Sequence, residues 1–129
     1  MSDGKHLRIL IVEDDLLIAM DLERLLTDFG YDVCGLASDA REAIQLALRL
    51  RPDLVLTDVD LAHGSNGLDV ARDVYTQLSI PSFILSSQVD RTRFDDLPKP
   101  PLGVMAKPYE PVGLRRALVK AEAACAAFD

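Results

Sequence analysis

The feature that most constrains this chain is an alternation. Short apolar runs, each ending abruptly at polar residues, take turns with longer amphipathic stretches. Leu7-Arg8-Ile9-Leu10-Ile11-Val12 stops at Glu13-Asp14-Asp15, and such a run reads as a strand covered on both faces. From Leu16 to Phe29 the period becomes helical, with Ile18, Leu22, Leu25, Leu26 and Phe29 on one stripe and Gly30 as the stop. Tyr31 to Leu36 is a second strand, and Ser38 or Asp39 caps a helix running to about Leu50. Leu54 to Thr57 is a third strand ending at Asp58, and Leu68 to Leu78 a third helix with Leu68, Ala71, Val74 and Leu78 on one face. Pro81 opens a fourth strand, Ser82 to Leu85, which ends at Ser86-Ser87. Gly103 to Ala106 is a fifth, ending at Lys107-Pro108, and Pro111 suits the first turn of a last helix to about Ala127. Between them, Pro98, Pro100 and Pro101 restrict any fourth helix to roughly residues 90–96, with an irregular loop after it.

Strands alternating with helices predict an α/β fold, a doubly wound parallel sheet with helices on both faces and right-handed crossovers. At 129 residues the chain fits one domain, with a core over about 7–127. There are 21 acidic against 14 basic residues, a net charge of -7. That balance argues against a nucleic-acid surface, which needs clustered Lys and Arg, and against docking on anionic membranes. No apolar run approaches the ~20 residues of a membrane span. Cys34 and Cys125 lack metal-ligand spacing and read as buried, reduced thiols, which places the chain in the cytoplasm.

In open α/β sheets, ligands bind at the carboxyl ends of the strands, near the point where strand order reverses. Here those ends carry Glu13, Asp14 and Asp15, then Asp58 with Asp60 two residues on, then Ser86, then Lys107. Crowded carboxylates raise one another's pKa unless a cation is present, and few carboxylates completed by waters suit Mg²⁺. A metal beside Asp58, with the Lys107 ammonium and the Ser86 hydroxyl converging, suits a transferring phosphoryl group with a carboxylate as nucleophile. Asp15 reads as a helix N-cap, His63 as a solvated loop residue and His6 as inert; strand alternation is expected to aim Ser87 away from the site.

With these residues in view, the sequence resembles a receiver domain of a two-component response regulator. The matching stretches are Ile9 to Asp15, Asp53 to Leu61 with Gly67, Pro81 to Ser87, and Gly103 to Pro108. The likeness runs over about residues 7–125. It implies a flavodoxin-like three-layer sandwich with strand order 2-1-3-4-5, and a single receiver domain over 1–129. It implies that Asp58 accepts a phosphoryl group from a sensor histidine kinase or a histidine phosphotransfer protein, so that protein–protein contacts switch. Mg²⁺, or Mn²⁺, would be held by Asp14, Asp58 and the backbone carbonyl of Asp60, with Glu13 acting through a water. Lys107 and Ser86 would meet the phosphoryl group, the Lys107-Pro108 bond would be cis, and Asp60 and Gln88 would tune hydrolysis. Leu16, Leu17 and the Tyr109-Glu110-Pro111 loop would dock the donor. Homodimer formation stays open.

The chain departs from the family at Val104, where an aromatic toggle is common, at Leu61-Ala62, and across the proline-rich residues 88–102. Three other functions compete. A haloacid-dehalogenase-type phosphatase would share Asp58-Val59-Asp60, but carries that motif after its first strand. A flavodoxin-like cofactor binder would set an anionic phosphate against Glu13, Asp14 and Asp58. A pseudo-receiver would keep the fold without phosphorylation, which the intact Asp58 and Lys107 argue against. The chain is thus expected to act on itself and not as a turnover enzyme.

Overall fold

The computed structural model describes residues 7–61, 66–87 and 94–126. Its elements run β1 (Arg8–Val12), α1 (Leu16–Asp28), β2 (Asp32–Ala37), α2 (Ala40–Leu50), β3 (Leu54–Asp58), α3 (Gly67–Leu78), β4 (Ser82–Ser86), β5 (Gly103–Ala106) and α4 (Pro111–Ala126). All pairings are parallel, in the order β2-β1-β3-β4-β5. The expected fold class and strand order are therefore observed.

Burial explains why the apolar runs are strands. Ile9, Leu10, Ile11 and Val12 are all fully buried, as are Leu54, Val55 and Leu56. Alternate residues feed two cores. Ile9, Ile11, Leu54, Leu56, Phe83 and Leu85 pack with Leu22 and Leu26 of α1 and Leu114 and Leu118 of α4. Leu10, Val12 and Val55 pack with Ala43 and Ala47 of α2 and Val70 and Val74 of α3. Phe83 lies opposite Gly103 in register, and its ring occupies the space a Cβ at Gly103 would need.

The helices start where short polar side chains supply acceptors. Asp15 caps α1, accepting from the amides of Leu17 and Ile18. Asp39 caps α2 and accepts from Glu42, which resolves the choice between Ser38 and Asp39. Asn66 caps α3 and accepts from Leu68 at 2.7 Å.

Several expectations are corrected. Ile18 is 41% exposed, and Ala19 takes the core position one residue later. Leu68 and Leu78 are half-buried, and the deepest α3 contacts are those of Val70 and Val74. Cys34 and Cys125 are half-buried and unpaired. Part of the expected short fourth helix lies outside the described residues. Residues 94–102 form turns and bends, consistent with Pro98, Pro100 and Pro101 denying amide donors to a helix. His6, Ala62, His63 and Gln88 also lie outside the described residues. Among the described residues, no helix is long and apolar enough to cross a membrane.

Gly67 fixes how closely α3 approaches the end of β3. A Cβ there would lie 2.0 Å from the backbone carbonyl oxygen of Asp58, and the Gly67 amide donates to the Val59 carbonyl at 2.8 Å. Backbone cannot swing aside as a side chain can. Gly67→Ala should therefore destabilise the fold by roughly 1–3 kcal/mol or more in urea unfolding. Gly113 in α4 has nothing within 4 Å of an added Cβ. Gly113→Ala should instead be neutral or stabilising, by up to about 1 kcal/mol.

Candidate functional site

Strand register assembles the site before any side chain is considered. Val12 of β1 pairs with Thr57 of β3, so Glu13 and Asp58 leave the sheet side by side. Asp58 pairs with Leu85 of β4, and Ser86 with Ala106 of β5, which puts Ser86-Ser87 and Lys107 along the same edge. This edge lies where strand order reverses about β1 and β3, the usual ligand position in such sheets.

Asp58 and Glu13 are each only 4% exposed, whereas Asp14 is open to solvent. One carboxylate oxygen from each of Glu13, Asp14 and Asp58 lies within 4.8 Å of the other two. Among the described residues one cation answers them: the Lys107 ammonium, 49 residues downstream of Asp58, donates to Asp58 Oδ2 at 3.0 Å. Glu13 Oε2 accepts from the Asp15 amide at 3.0 Å, so the start of α1 orients this carboxyl. Glu13 Oε1 and Asp58 Oδ1 are buried without a hydrogen-bond partner among the described residues. Two orphaned acceptors in one buried acidic pocket form a hard-oxygen donor set that fits a divalent cation such as Mg²⁺ or Mn²⁺.

The remaining expected residues divide. Ser86 is buried at the end of β4, and its carbonyl accepts from the Lys107 amide at 2.9 Å. The Lys107-Pro108 bond is cis, as expected. The Asp60 carboxylate is not in the acidic cluster, although Asp60 was expected to contribute a backbone carbonyl, not its side chain. Its Oδ2 accepts from the Ser87 hydroxyl at 3.5 Å, and its backbone bridges Asn66. The expectation that alternation turns Ser87 away is corrected. Phe83 and Leu85 face the α1/α4 core with Leu54 and Leu56, so the same alternation carries Ser87 to the face of Asp58. Leu16, Leu17 and Met20 of α1 stand exposed at 64%, 78% and 51%.

Two features, Gly67 and Thr57, carry no role read from sequence, and Tyr109, expected in the donor-docking loop, has a further one. Gly67 had no stated task; a glycine directly after the α3 cap was its only signal. Thr57 is fully buried and donates to the Asp58 carbonyl at 3.0 Å. Tyr109, half-buried, packs against the core, and burial raises its phenol pKa, with the charges of Asp21, Glu13 and Asp58 adding to the rise.

Burial pushes the Glu13 carboxyl up to about 7, with the charge of Asp58 adding to the shift while the Asp15 amide and Lys107 oppose it. In the cation-free protein its folded value thus exceeds the ordinary 4.5. The stability linked to its proton is full below that value and is lost as pH rises through about 7. Glu13→Gln carries no such loss. Its unfolding free energy relative to the parent should climb between about pH 5 and pH 8, by at most about 3 kcal/mol. An unchanged difference across that range would show that Glu13 is not held protonated.

A family profile described as the response regulator receiver domain matches residues 9–118. Phyllosphere-induced regulator PhyR of Methylorubrum extorquens is 37% identical over 114 residues, covering 88% of this chain and 42% of the relative. The chain thus spans less than half of that regulator. The solution structure of the Erythrobacter litoralis PhyR receiver domain superposes with a TM-score of 0.81 at 31% identity, over 91% of this chain and 90% of that one. The crystal structure of the anti-anti-sigma factor PhyR from Bartonella quintana gives 0.80 at 29% identity, over 98% of this chain and 53% of that one. The acidic pocket at the strand ends therefore sits in a chain that belongs to the response regulator receiver family of two-component signalling.

Proposed function

We propose that Asp58 accepts a phosphoryl group from a phosphohistidine donor, and that this switches the contacts the domain makes with other proteins. The observation that carries this reading is the state of Asp58 itself. It is buried, its Oδ2 is held by Lys107, and its Oδ1 has no partner among the described residues. One carboxylate oxygen of Asp58 supplies the attacking lone pair while the other is free to face a cation. The bond formed is from that oxygen to phosphorus, the bond broken is phosphorus to the donor's imidazole nitrogen, and the imidazole leaves with the electron pair.

The Lys107 ammonium lies where negative charge on the phosphoryl oxygens would develop, a position that stabilises transfer. Asp14, Asp58 and the carbonyl of Asp60 would hold Mg²⁺ or Mn²⁺, with Glu13 contributing through a water. Such an ion, when bound, supplies positive charge against the crowded carboxylates and the phosphoryl oxygens. The Ser86 hydroxyl, at the end of β4, would turn to the phosphoryl group and report its arrival. Val104 stands where an aromatic toggle is common, so the coupling to output differs from that pattern or is weaker.

The donor would be a sensor histidine kinase or a histidine phosphotransfer protein. The exposed Leu16, Leu17 and Met20, on the helix that begins beside the pocket, are the surface for it. The output would be a protein partner. The Bartonella quintana relative is described as an anti-anti-sigma factor, which supports a protein target over a nucleic-acid one for this acidic chain. Self-association is the other output such a switch could use. The domain would act on itself in the cytoplasm, where two unpaired cysteines are at home.

Intact mass after incubation with acetyl phosphate tests the reading. With Mg²⁺ present, the protein should gain one phosphoryl group; without it, or in Asp58→Asn, the gain should vanish. Lys107→Ala should slow the gain by at least about tenfold, as expected when an electrostatic contact to the transferring group is lost. No gain in the parent protein under any of these conditions would contradict the proposal and favour a non-phosphorylated binding module.

A further inference from the structure

The geometry points to a second binding site, separate from Asp58: the cleft between the end of α1 and the middle of α4 takes a small organic acid, a single carboxylate on an apolar body. Leu7 stands immediately before β1 and Tyr31 immediately before β2, so this cleft lies at the amino ends of the strands. Asp58 closes β3 at its carboxyl end, on the opposite edge of the sheet. The cleft holds about 280 Å³, just under the ~300 Å³ at which small-molecule pockets begin, which suits one ring or a short chain. Leu7 and Tyr31 are buried beneath it, and the half-buried Phe29 of α1 and the exposed Val119 of α4 flank it. Gly30, with φ 100, turns the chain from α1 into β2. A Cβ there would meet nothing within 4 Å, so the mouth is open on that side.

The polar groups of the cleft are few, and their charges select the ligand. The Arg115 guanidinium leans to 6.0 Å from the centre of the Phe29 ring, the outer limit of a cation–π contact. Among the described residues no carboxylate pairs with it, although the chain is strongly acidic. Its fork of donors therefore stands beside an apolar wall with no acceptor of its own. A ligand carboxylate matches that fork with two parallel hydrogen bonds. About two turns further along α4, Glu122 carries the opposite charge and accepts from the Tyr31 hydroxyl at 3.4 Å. Burial, with the charge of Glu122 adding, pushes the Tyr31 phenol up to about 12, so it stays a neutral donor to that carboxylate. A second negative charge on the ligand would meet Glu122, which favours one carboxylate over a phosphate or a dicarboxylate. The apolar body then covers Phe29, Leu7 and the exposed Val119, removing their surface from water.

Titration with benzoate, followed by the backbone amide NMR shifts of the isotope-labelled protein, tests this. Saturable shifts should centre on Gly30, Tyr31, Arg115 and Val119, with a Kd on the order of 1 mM, as fits so small a ligand in an open site. Benzamide, which keeps the ring and loses the charge, and inorganic phosphate, which keeps charge and loses the ring, should each bind at least about tenfold more weakly. Arg115→Gln should weaken benzoate by at least about tenfold, since a charge-assisted pair is lost. Val119→Phe, which fills the cleft from an exposed position, should abolish saturation without unfolding the protein. Glu122→Gln should tighten benzoate and narrow its advantage over phosphate. No saturable shift with benzoate, shifts centred on Asp58 and Lys107, benzamide or phosphate matching benzoate, or an unchanged Kd in Arg115→Gln would each overturn the proposal. Because the shifts are read at the cleft, its failure would leave the phosphoacceptor reading untouched.

Discussion

Among the described residues, three carboxylates meet one ammonium at the strand ends, and the rest of the molecule is arranged around that imbalance. Glu13 and Asp58 are buried because the strands that carry them are buried to their last residues. They are neighbours because β1 and β3 are neighbours in register. Lys107 reaches them because β5, though at the sheet's edge, ends level with β4. A charge buried without a partner is costly, and one cation cannot satisfy this many oxygens. The two orphaned oxygens and the raised Glu13 carboxyl are where the remaining cost shows. A protein selected only for stability would have little reason to keep such a pocket.

The scaffold limits where this cost spreads. Both faces of the sheet are closed by tight apolar packing, so the site is built on rigid strand ends and not on mobile loops. Gly67 lets α3 press on the carbonyl of Asp58, and Asp15 fixes the start of α1 beside Glu13. The elements that hold the acids are therefore the same elements whose packing stabilises the fold. Away from the pocket the thiols are quiet: burial pushes Cys125 up to about 11, which leaves little nucleophilic thiolate at neutral pH.

Much of this was legible in the sequence, for an identifiable reason. A run such as Ile9 to Val12 that stops at Glu13-Asp14 marks a strand end by an abrupt change of polarity, and a parallel sheet collects its strand ends at one edge. What local pattern could not supply was pairing: strand ends bring Lys107 to the acidic edge, but that its ammonium meets Asp58 is seen only in the structure. The first turn of α1 is ambiguous in sequence because Leu16, Leu17 and Ile18 are apolar in succession, so the stripe has no clear edge, and it is small Ala19, not Ile18, that the core buries. Ser87 was misplaced because counting alternation needs the true face of β4, which the cores reveal and the sequence does not. The role of Gly67 is an approach between backbones, invisible without coordinates.

That a hard divalent cation neutralises the acidic pocket is the claim on which the phosphoacceptor proposal rests. Isothermal titration calorimetry of Mg²⁺ into the metal-free protein tests that claim most directly. Saturable binding at a single site, abolished or severely weakened in both Asp14→Asn and Asp58→Asn, is the predicted result. The absence of binding in the parent protein, or binding indifferent to both substitutions, would contradict it.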